Sequence, residues 1–145
     1  MKNILSLWQF WALLSAVFAA LTAIFAKIGI EKINSDFATF IRTIVILFVL
    51  GIILFATNQY QSMRTISSKS IIFLVLSGIA TGGSWDCYFR ALKLGNASHV
   101  APIDKLSVVL VALFGVLFLG EKLSIADWIG IFLIATGAVI IALRL

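Results

Sequence analysis

Five almost uninterrupted apolar runs dominate the chain, at residues 7–30, 37–56, 71–91, 100–119 and 125–143. A helix needs about 20 apolar residues to cross a hydrocarbon core about 30 Å thick, so each run predicts a transmembrane helix. The connectors between them, 31–36, 57–70, 92–99 and 120–124, are short and polar and leave no stretch for a soluble domain. The expected fold is therefore all-α: a bundle of five transmembrane helices forming a single membrane domain over 1–145. An odd number of spans puts the two termini on opposite faces. The connector 57–70, which carries Asn58, Gln59, Gln61 and Arg64, is the longest and the one expected to move most.

Composition narrows the class further. Hydrophobic residues make up 62% of the chain and charged residues 12%, against about 45–50% and 25% in a soluble domain; mean hydropathy is +1.15. This is the profile of a multi-pass integral protein of the cell membrane. The first run outlasts the roughly 7–15 residues of a signal-peptide core and lacks a small-x-small cleavage site, so a retained helix is expected. Cys87, the only cysteine, lies inside the third run, where packing is its plain reading. Eleven cations against six carboxylates give a net charge of +5. The cations are scattered singly or in pairs along the connectors, which predicts lipid head groups and not nucleic acid as their partners. Trp8, Trp11, Tyr60 and Trp128 fall near one membrane face and Trp85 and Tyr88 near the other, as interfacial aromatic belts do.

Orientation follows from cations in the short loops. The N-terminal face collects Lys2, Arg64, Lys69 and Lys122, and the opposite face Lys27, Lys32, Arg90, Lys93 and Arg144. So even a balance gives weak insertion instructions, and both orientations are open to the chain. An antiparallel homodimer then becomes possible, in which two inverted copies build in trans the inverted-repeat architecture of many transporters.

Small residues recur at helix-packing spacing, with Gly78 and Gly82 in the third run and Ala126 and Gly130 in the fifth. The Gly82-Gly83 pair is a point where the third helix can bend. Gly120 is placed to end the fourth helix in the left-handed conformation. Ser124 is placed to cap the fifth, with Asp127 three residues on as a shortened capping box. Glu121 and Lys122 read as turn charges, with gating as the functional alternative for Glu121.

Charges at membrane depth are the most informative feature, because an ionisable group at a helix centre costs about 2.5–3.5 kcal/mol on insertion scales. Lys27, Arg42, Asp86, Arg90, Asp104 and Lys105 all belong to the half of the membrane opposite the N-terminus. Together they suggest a hydrated vestibule with two uncompensated cations, suited to a carboxylate, a phosphate or a zwitterion. Asp86 and Arg90, four apart, can pair on one helix face. Lys27 and Arg90 are near enough to span ends to snorkel into head groups. Arg42, six residues into its run, is not, and it is the strongest candidate for substrate contact. Two readings of the fourth helix stand side by side. If it starts at Pro102, Asp104 falls at N3 and Lys105 in the first turn, with a plain dipole role. If it starts near Ser98, Pro102 kinks it and Lys105 projects toward the dimer axis.

The second half of the chain carries a family pattern. Tyr88-Phe89-Arg90-Ala91-Leu92 leads through Gly95-Asn96-Ala97-Ser98 and Val100-Ala101-Pro102-Ile103 to Leu119-Gly120-Glu121-Lys122-Leu123-Ser124, then Trp128-Ile129-Gly130 and Gly137. This resembles the EamA domain of the drug/metabolite transporter superfamily, whose repeat closes with a Tyr-x-x-Ala-Leu helix end, an LGE-x-x-S turn and a last helix with G-x6-G. The likeness is strong over residues 80–143 and weaker in the first two helices, through Phe25-Ala26-Lys27 and Arg42. Typical members carry two repeats and ten helices where this chain has one, so the resemblance implies a homodimer. Many members also have a proline further along the fourth helix, where this chain reads Asp104-Lys105-Leu106-Ser107-Val108.

Enzymatic readings find little support. His99 and Cys87 have no metal-ligand spacing around them, there is no nucleotide-binding glycine loop, and neither cofactor nor metal is expected. The favoured expectation is a secondary transporter, an exporter of small polar or amphiphilic metabolites such as amino acids or organic anions, working as a homodimer by alternating access. Its substrate pathway would include Arg42, Trp85, Asp86, Tyr88, Arg90, Asp104 and Lys105, with Asp86 or Asp104 available for proton coupling. A small multidrug-type cation exporter would need a carboxylate in the first helix, and residues 7–30 hold none. A non-transporting membrane subunit or scaffold is the third reading.

Overall fold

The structure, a computed structural model, describes residues 7–143; Lys2 and Arg144 of the loop-charge argument lie outside them. Five segments are long and apolar enough to span a membrane. They are α1 (Trp8–Gly29), α2 (Ser35–Thr57), α3 (Ser68–Leu94), a fourth built from α4 (Ala97–Asp104) and α5 (Ser107–Phe118), and α6 (Ile125–Leu143). No strand occurs among the described residues.

Helix ends extend past the apolar runs where polar caps permit it. Asn34 Oδ1 accepts from the N–H groups of Asp36 (2.8 Å) and Phe37 (3.2 Å), so α2 starts two residues before its run. It ends at Asn58, in the left-handed region at φ 51°. The connector 57–70 contains a short 3-10 turn, Met63–Thr65. Helix α3 continues without interruption through Gly82-Gly83.

The fourth segment takes the earlier of its two possible starts. Helix α4 begins at Ala97, which makes Pro102 its sixth residue and removes the reading in which Pro102 opens the helix and Asp104 sits at N3. Pro102 has no N–H for the Ser98 carbonyl, and the chain tightens directly afterwards. Lys105 N–H donates to Pro102 O (3.1 Å), Leu106 to Ile103 O, Val108 to Lys105 O and Val109 to Leu106 O (each 3.0 Å). These are the shorter bonds of a 3-10 turn. The helix is broken at Lys105-Leu106.

Two compact units make up the chain, divided within α1 after Ile24 and again after Leu94. In the first, comprising described residues 7–24 and 95–143, α4 and α5 both pack on α6. Its buried positions, Ala23, Ala112, Gly115 and Ala138, are all small, as close helix approach in lipid favours. Gly120 sits at φ 68° after α5. The Gly115 carbonyl accepts from both Leu119 and Glu121 N–H, each at 3.1 Å. The Glu121 side chain folds back over Gly115, where a Cβ would stand 2.5 Å from Oε2. At the head of α6, Ser124 N–H and Oγ both meet Asp127 Oδ2 at 2.7 Å, and Asp127 N–H donates to Ser124 Oγ at 3.2 Å. The capping box thus forms with Asp in place of Glu.

The second unit, residues 25–94, is centred on Ile30, Phe89, Leu92 and Ser35, which are buried. There α2 and α3 meet beside the 31–36 connector. Further along, residues 43–59 and 72–84 are exposed. Exposed Leu, Ile, Val and Phe carry no penalty on spans bathed in lipid tails as apolar as themselves.

Candidate functional site

The second unit gathers five of the seven proposed pathway residues: Arg42, Trp85, Asp86, Tyr88 and Arg90. Arg42, two turns into α2, lays its guanidinium on Trp85 of α3, with Cζ 3.3 Å from the ring centroid and 5.7 Å from that of Phe89. Trp85 is held by edge-on contacts to Tyr88 (5.7 Å) and Phe89 (6.0 Å). Trp85 and Tyr88 are each half-buried, while Trp8, Trp11, Tyr60 and Trp128 are exposed. The nearby hydroxyls do not compete for Arg42, since Thr39 and Thr43 bond back to Ser35 O (3.0 Å) and Thr39 O (2.8 Å). Among the described residues no carboxylate pairs with Arg42.

The other cations of this unit are engaged. Arg90 Nη2 reaches Asp86 Oδ2 at 3.1 Å, the pair expected from spacing, and Asp36 Oδ1 at 3.2 Å, a partner 54 residues away. Lys27 Nζ donates to Leu92 O at 2.6 Å, and Lys93 Nζ to Ile33 O at 2.9 Å. Lys27 and Arg90 thus turn onto the protein instead of snorkelling to head groups. Three cations fasten the end of α3 to the end of α1 and the start of α2.

Asp36 is the site residue that sequence reasoning missed. Hydropathy alone puts it in the 31–36 connector, although the Asn34-Ser35-Asp36 cap is a usable signal that the helix has already begun. Within the second unit, Asp36 thus joins Asp86 as a second carboxylate for Arg90.

In the first unit, Asp104 and Lys105 flank the helix break and pair with each other, Nζ to Oδ2 at 3.4 Å. His99 lies in the first turn of α4 and not in a connector. No cluster of three or more metal-binding side chains occurs among the described residues.

Residues 6–143 match the family model described as the EamA-like transporter family. The chain is 63% identical over 135 residues to a Sinorhizobium sp protein described as an uncharacterized transporter in the cobO 3′ region, with 93% of this chain and 96% of that one covered. It is 32% identical over 132 residues to an uncharacterized protein of Methanocaldococcus jannaschii, with coverage of 90% and 93%. In both, the match takes in nearly the whole relative, so neither relative has room for a second repeat. No solved structure matches the chain.

Proposed function

The chain belongs to the EamA-like transporter family, in the drug/metabolite transporter superfamily, and on that premise we propose that it exports small anionic or zwitterionic metabolites, such as amino acids or organic acids, as a homodimer working by alternating access. It acts as a carrier and not as an enzyme. The observation that carries the substrate class is Arg42: a guanidinium on a membrane-spanning helix, stacked on Trp85 and lacking a carboxylate partner among the described residues. Aromatic stacking holds such a group without neutralising it, which leaves its in-plane N–H donors for a carboxylate or phosphate.

The dimer is supported by relatives of single-repeat length and by the near-equal loop cations, which favour an antiparallel pair of inverted copies. A cation exporter is disfavoured because residues 8–29 of α1 contain no carboxylate.

Flux into proteoliposomes of radiolabelled amino acids and organic acids, screened against lipophilic cations, tests the substrate class. Arg42→Ala is expected to abolish flux while membrane insertion and dimerisation persist; unchanged flux removes Arg42 from the pathway. Compartment-specific reporters on each terminus test the pairing, with labelling on both sides expected and a single location excluding the antiparallel dimer. Comparison of right-side-out and inverted vesicles tests the direction.

A further inference from the structure

Within the second unit, Arg42 is closed off on one side and open on the other. It stands about 10 Å into α2, at a rise of about 1.5 Å per residue from Ser35. Toward the 31–36 connector the end of α3 covers it: Phe89, whose ring centroid is 5.7 Å from Arg42 Cζ, and Leu92 are buried together with Ile30 and Ser35. In the opposite direction both helices are exposed, over residues 43–59 and 72–84. A site that serves two faces of a membrane in turn needs one side shut while the other is open.

The polar contacts on the shut side are of a kind that can be undone without stranding a charge. Arg90 uses one nitrogen, Nη2, for both Asp36 of α2 and Asp86 of its own helix, so it keeps a carboxylate when α2 and α3 part. Asp36 keeps Ser35 Oγ, 3.0 Å from its Oδ1, and its favourable place in the first turn of α2. Lys27 and Lys93 hold backbone oxygens, Leu92 O and Ile33 O, and their long stems can carry the ammonium groups to head groups instead. Beside these contacts stand three large buried apolar side chains, Ile30, Phe89 and Leu92, enough to keep water from Arg42 and few enough to part. We infer that residues 89–93 of α3 form the gate of the solute path on the 31–36 face, seen here closed, with the Arg90–Asp36 pair and the two lysine–carbonyl bonds as its releasable clasp. This rests on the transport reading above and adds to it the end that opens and the residues that hold it shut.

Spin–spin distances in the full-length protein test the inference. Labels are placed at Lys32→Cys and Leu94→Cys, exposed positions outside the clasp, in a Cys87→Ser background. Labelled protein is diluted into unlabelled protein in liposomes, so that the distance within one chain is read. A short distance with a minor longer population is expected. Arg90→Gln with Lys93→Gln should enlarge the longer population about fivefold, and Asp36→Asn, which leaves the Arg90–Asp86 pair and the Asn34 cap in place, about twofold. A single unchanged distance in both variants overturns the inference, because the buried apolar side chains alone would then hold the ends together. Bridging the same two cysteines with a cleavable bifunctional thiol reagent is expected to stop uptake of radiolabelled amino and organic acids, with recovery on cleavage. Undiminished uptake by the bridged protein makes the clasp a structural brace and overturns the gate. The distances require no transport, so two populations together with unaltered flux in Arg42→Ala would defeat the substrate reading and leave the gate standing.

Discussion

Replacing Trp85 while keeping Arg42 separates the stack from the charge it supports. The guanidinium carbon lies 3.3 Å from the Trp85 centroid, well inside the reach of a cation–π contact, and 5.7 Å from Phe89, near its limit. Such contacts contribute about 0.5–1 kcal/mol when exposed and about 2 kcal/mol when desolvated. Arg42 is half-buried, which places the loss in Trp85→Leu near 1 kcal/mol. If the stack orients Arg42 for substrate, that loss raises KM about fivefold, since about 1.4 kcal/mol corresponds to tenfold. Trp85→Phe keeps a weaker ring face and should fall between wild type and Trp85→Leu. The assay is initial-rate counterflow in proteoliposomes, with KM and maximal rate resolved for each variant. An unchanged KM in Trp85→Leu, alongside lost flux in Arg42→Ala, would refute the positioning role of the ring. A reversed order of Phe and Leu would refute the cation–π account itself.

Arg90→Ala removes the cation shared by Asp36 and Asp86; because the groups are one-third to over half exposed, thermal unfolding in detergent should report only a small downward shift of the midpoint. Gly115→Ala drives a methyl into Glu121, whose flexible end can swing away. The variant should lose about 1 kcal/mol or less, and less still in a Glu121→Ala background, a coupling that a double-mutant cycle measures. Ser124→Ala breaks the cap of α6 and should cost about 1 kcal/mol in the same unfolding assay.

The number of spans was legible because lipid imposes long apolar runs, and only the ends moved. Helix α2 begins at Ser35 and α3 continues to Leu94, since capping and side-chain anchoring, not hydropathy, decide where a helix stops. Arg42 could be singled out from its depth alone. Its bed could not, because Trp85 is 43 residues away and nothing in local spacing joins the two. Backbone acceptors are equally invisible in sequence, so the grip of Lys27 on Leu92 O and of Lys93 on Ile33 O emerged only with the fold. For the fourth segment both starts agreed with the pattern, and hydrogen bonding after Pro102 decided between them.

The three-cation fastening at the foot of α3 has a cooperative consequence. Each contact alone is weak enough for thermal motion to release it, but this end of α3 comes away from α1 and α2 only when Lys27, Arg90 and Lys93 let go together. Simultaneous release of separate catches is rare, so the opening of any one of them leaves the helix ends still tethered.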